Sequence, residues 1–104
     1  MVDFLKVLNE YYVRNRGKRI KQEFQEVLSK DVEELSGPQK YIYEIYIEPN
    51  FTVLQDALYE AFKEADRPLE EWRASILESP PSIINNLARK TIIRAIRDMD
   101  VGET

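Results

Sequence analysis

Five basic residues crowd into eight positions on either side of Gly17: Arg14, Arg16, Lys18, Arg19 and Lys21. Cations at that density are able to grip phosphate oxygens. The same cluster also suits a solvated helix end, where the helix dipole favours positive charge and the acidic middle of the chain can pair with it. Little other chemistry is on offer. There is no cysteine and no histidine, so no disulfide, thiol nucleophile, imidazole base or usual zinc site can be assembled. Catalysis would fall to carboxylates, Lys, Tyr or Ser, and the three glycines form no phosphate-cradling loop. Glu60 and Glu64 stand four apart, the spacing of a solvated helix face rather than of a working acid and base. No catalytic residue, metal or cofactor is implied, and the chain reads as non-enzymatic.

Contact chemistry is better represented. From Ser79 to Met99, the pair Pro80-Pro81 halts whatever helix comes before, and Ser82 is placed to cap the next one. Ile84, Leu87, Ala88, Thr91, Ile92, Ala95, Ile96 and Met99 then recur every three or four residues, so they share one stripe of a helix over 83–99. Asn85, Asn86, Arg89, Lys90, Arg94 and Arg97 take the rest. An apolar stripe of this size has to be covered, either by the chain's own core or by a partner, and the pattern leaves both open.

This segment resembles the elongin-binding half of a SOCS box. There a helix after a proline-containing turn carries an aliphatic residue, a small residue four positions on and another aliphatic four beyond. Ile84, Ala88 and Ile92 take those places, Leu87-Ala88-Arg89 stands where the family has Leu-Cys-Arg, and Trp72 and Leu77 precede the turn. The resemblance implies an adaptor of a ubiquitin ligase, docking elongin B and C by laying Ile84, Leu87, Ala88, Ile92 and Ile96 into a hydrophobic groove. Residues 1–78 would then hold a substrate or a second partner.

The elements that must position these residues are helical. Asp3 caps a helix reaching about Arg16, with Phe4, Leu5, Val7, Leu8, Tyr11 and Tyr12 at helical spacing, and Gly17 ends it. A second helix is expected from Lys18 to about Glu34, with Ile20, Phe24, Val27 and Leu28 inward, stopped by Ser36-Gly37-Pro38. Gln39–Glu48 is rich in β-prone Tyr and Ile without clean alternation. It is read as a helix because a lone strand would have no partner. Its tyrosines suit either a contact surface or the core. Glu48-Pro49-Asn50 is expected to break the chain, and Thr52 to open the next helix through a capping box with Gln55. Asp66-Arg67-Pro68 turns into a short helix from Leu69 to Glu78, and Gly102 stops the last one. The sum is an all-α, compact single domain of five or six short helices.

Net charge is −4, but its distribution is uneven: residues 31–80 carry twelve acids against four bases, while both ends are mildly basic. The apolar share of 43% is too high for a disordered chain, and no run spans a bilayer. The mixed N-terminus does not read as a secretory signal, which places the protein inside a cell, in the cytoplasm or nucleus. Beside the elongin reading stand two others. One is a small regulatory bundle, compatible with a homo-oligomer, that binds another protein through its acidic middle or its tyrosines. The other is a nucleic-acid binder using Arg14–Lys21, or Arg89, Lys90, Arg94 and Arg97 on the last helix, which the overall acidity disfavours.

Overall fold

The first helix, α1 (Phe4–Arg16), opens on Asp3, whose carboxylate accepts the Lys6 N–H at 3.1 Å. It closes on Gly17 at φ 67°, a left-handed residue whose N–H donates to the Val13 carbonyl. The computed structural model describes residues 2–65 and 67–103, with side chains described through Asp98. The place expected for Asp66 in a turn lies outside the described residues, and the side chain of Met99, expected on the last stripe, lies outside the described side chains.

The second helix is shorter than its periodicity suggests. Residues 18–21 stay out of it because side chains take up the Ile20 backbone: its N–H donates to Asn9 Oδ1 at 2.8 Å and its carbonyl accepts Gln25 Nε2 at 2.6 Å. Helix α2 therefore spans only Gln22–Leu28. The chain then makes a tertiary contact instead of another turn, the Lys30 carbonyl accepting the Ile83 N–H at 2.9 Å. Asp31 and Glu34 form a capping box around a 3-10 turn at Val32–Glu34.

Ser36 and Gln39 make a second capping box, opening α3 (Gly37–Ile42) with Pro38 in its first turn. Beyond it the chain widens to a π turn at Tyr43–Ile47 and tightens to a 3-10 turn at Glu48–Asn50. It then enters α4 (Phe51–Ala65) with its backbone right-handed helical throughout. Glu48-Pro49-Asn50 is thus no break, contrary to expectation. Pro49 has no N–H to give the Ile45 carbonyl, and the changed winding absorbs that loss. Asn50 Nδ2 donates to the Tyr46 carbonyl at 2.7 Å across the same step. With Phe51 already helical, Thr52 lies inside α4 and opens nothing.

Helix α5 (Leu69–Glu78) and the Pro80-Pro81 turn lead to α6 (Ile83–Glu103), where Ser82 Oγ accepts the Asn85 N–H at 3.1 Å, the cap expected of it. The backbone remains helical past Gly102. Among the described residues no strand occurs, and the chain is an all-α single domain. Helix α6 packs on α1, α4 and α5 and touches α2, while α4 also packs on α1. Leu8, Leu28, Leu58, Trp72, Ile83 and Leu87 lie at the centre, each at most 2% exposed.

Candidate functional site

The α6 stripe is covered by the chain itself. Ile84, Leu87, Ala88 and Ile92 are buried in the core, and Ile96 packs half-buried against it. Thr91 is fully buried, its hydroxyl donating to the Leu87 carbonyl at 2.7 Å. Of the two covers that the pattern left open, the folded chain supplies its own core for Ile84, Leu87, Ala88 and Ile92, while Ile96 keeps part of its side chain exposed. Asn85, expected on the polar side, is buried too, because the Pro80-Pro81 turn folds back over it and its Nδ2 donates to the Pro80 carbonyl at 3.4 Å. Of the residues before the turn, Trp72 is buried and Leu77 stands 81% exposed.

The basic cluster divides. Arg14 points along α1 to Glu64 of α4 and pairs with it at 2.8 Å, both side chains well exposed. Arg16, Lys18, Arg19 and Lys21 gather instead around a cavity of about 300 Å³, whose other walls are Tyr12, Ile20, Phe24 and Leu54. The Arg16 guanidinium lies 4.9 Å from the Tyr12 ring centre and Lys21 Nζ 5.7 Å from that of Phe24. Among the described residues none of these four cations meets a carboxylate in an ion pair. Burial raises the Tyr12 phenol above its ordinary value against the opposing pull of Arg16, so the ring is neutral at physiological pH. Gly17 and the two hydrogen bonds on Ile20 fix the loop that carries Lys18 and Arg19. The cavity can therefore hold an anion with an apolar body.

Beside it lies an aromatic face. Phe24 stacks on Tyr46, ring centres 5.7 Å apart and planes 29° apart, and Tyr46 meets Tyr41 edge-on at 6.5 Å. Tyr41 is 59% exposed, Ile45 and Tyr46 50% each. Ile45 and Tyr46 sit in the π turn, so the rewinding forced at Pro49 is what presents them. Tyr43, by contrast, turns inward and meets Phe51 edge-on. The tyrosines therefore divide, Tyr43 packing against the core and Tyr41 and Tyr46 standing exposed.

Sequence reasoning placed Phe24 in the core and passed over Tyr12 and Leu54 as cavity walls. The signal for Tyr12 was its position one helical turn before Arg16; for Leu54, thirty residues away in sequence, there was none. Among the described residues no cluster of three or more His, Cys, Asp or Glu could hold a metal, and no helix is long and apolar enough to cross a membrane. No family model, curated protein or solved structure matches the chain.

Proposed function

We propose that this chain is a non-enzymatic helical interaction module that docks a segment of another protein across Phe24, Tyr41, Ile45 and Tyr46. The observation that carries this reading is a ladder of three rings, Phe24 half-buried and Tyr46 and Tyr41 exposed, with exposed Ile45 next to Tyr46 in the π turn. Tyr is favoured in binding hot spots because it buries a large area at small entropic cost and still satisfies a polar tip. Lys18, Arg19 and Lys21 flank the ladder without acid partners, so an acidic stretch in the docked segment would meet them. Such an association weakens as salt rises.

Docking on elongin C through α6 is not the reading favoured, since Ile84, Leu87, Ala88 and Ile92 would first have to leave α1, α4 and α5. The test is a photo-crosslinking amino acid placed at Tyr46 and, as control, at exposed Glu33, with the protein exposed to an extract of its native cell. A discrete protein adduct is expected at position 46 alone, and it should disappear when Ile45→Glu is added. Identical adducts at both positions, or none at 46, would overturn the reading.

A further inference from the structure

We propose that the cavity between the end of α1 and the start of α2 is a binding site for a phosphate monoester carried on an aromatic body. Charge selects the anion. Arg16, Lys18, Arg19 and Lys21 converge on one opening with no carboxylate in its lining, whereas residues 31–80 carry twelve acids against four bases. Four cations suit a dianion better than a single carboxylate, and the two arginines bring planar forks that match phosphate oxygens.

The apolar walls select the body. Inorganic phosphate would satisfy the cations and leave Tyr12, Ile20, Phe24 and Leu54 facing water, while an aromatic group fills that side and stacks on Phe24 or Tyr12. A volume of about 300 Å³ accommodates one ring system with its phosphoryl group. The site is also formed in advance, since Gly17 turns the chain and Asn9 and Gln25 hold Ile20 by both backbone groups. Little ordering remains to oppose binding. A nucleoside monophosphate and a phosphotyrosyl side chain both carry this chemistry. The site borders the protein-docking face: Phe24 belongs to both, and Lys18, Arg19 and Lys21, which line the cavity, also flank that face.

The experiment is a titration of the isotope-labelled full chain, followed by amide chemical shifts, with phenyl phosphate, inorganic phosphate and phenol, then adenosine monophosphate and phosphotyrosine. Phenyl phosphate is expected to shift residues 12–24 and to bind at least about tenfold more tightly than inorganic phosphate or phenol, the increment of one aromatic stack. Arg19→Glu with Lys21→Glu, both exposed, should weaken it by about tenfold or more with the helical spectrum unchanged. Phe24→Leu should bring phenyl phosphate close to inorganic phosphate. Tighter binding of the nucleotide or of phosphotyrosine names the source. Phenyl phosphate binding no tighter than inorganic phosphate, shifts confined to another surface, or full affinity in the double charge reversal would each overturn the proposal.

Discussion

Trp72 shows how much of the fold rests on single side chains. It is 1% exposed, with Phe62 stacked on it at 4.0 Å and Phe4 at 5.9 Å, so residues from α1, α4 and α5 meet through three rings. Its indole N–H, which burial would leave unsatisfied, donates to the Arg67 carbonyl at 3.2 Å. The identity of that acceptor was not legible in the sequence, because it depends on the turn after α4. Trp72→Ala is expected to cost about 3–5 kcal/mol, the range for emptying an aromatic site, and Trp72→Phe distinctly less. Urea unfolding of the three proteins decides this, and a loss below about 1 kcal/mol for alanine would show that the rings are not the joint between the helices. At the same scale, Tyr41 and Tyr43 are indistinguishable in sequence. Their opposite fates follow from the π turn that begins at Tyr43, and no residue-level propensity encodes that.

Among the elements, starts and stops set by one local hydrogen bond were readable, and those set by competition were not. Asp3, Gly17 and Ser82 act where the sequence places them, each through a contact within four residues. The helix expected over 18–34 fails because Asn9 and Gln25 claim the Ile20 backbone and Ile83 claims the Lys30 carbonyl. Two of those three claims come from other elements. The capping boxes make the contrast testable. Thr52-Val53-Leu54-Gln55 has the right letters, yet the preceding turn already supplies helical backbone, so its hydroxyl caps nothing. Ser36 does cap, its Oγ accepting the Gln39 N–H at 3.4 Å while Gln39 Oε1 accepts the Ser36 N–H at 3.2 Å. Ser36→Ala is therefore expected to destabilise by about 1 kcal/mol, and Thr52→Ala to stay within about 0.5 kcal/mol of the parent. Thermal or chemical melting of the two variants measures the difference. Equal losses would mean that α4 begins at Thr52 after all.

At the scale of the molecule, α6 is the element against which the others are arranged, and the stripe that makes it resemble a docking helix is the stripe that makes the core. A periodic apolar face specifies that something covers it but not what, so the sequence could name Ile84, Leu87, Ala88, Ile92 and Ile96 without assigning their partner. The energetics favour self-coverage. A domain of this size is stable by about 5–15 kcal/mol, and Leu87→Ala at a fully buried site costs about 2–5 kcal/mol. Ile84→Ala with Leu87→Ala should then consume much of the total stability and leave a substantial unfolded fraction, visible as a lowered melting temperature and lost helical signal. For a groove on elongin C to take the same residues, α6 must first be uncovered. An opening cost of about 5 kcal/mol weakens apparent affinity by more than about a thousandfold. Titration calorimetry of the intact chain against elongin B and C is accordingly expected to give no complex at micromolar concentrations. A stoichiometric complex with the folded chain, abolished by the double alanine variant, would instead mean that α6 opens cheaply and that its burial is one state of a two-state element.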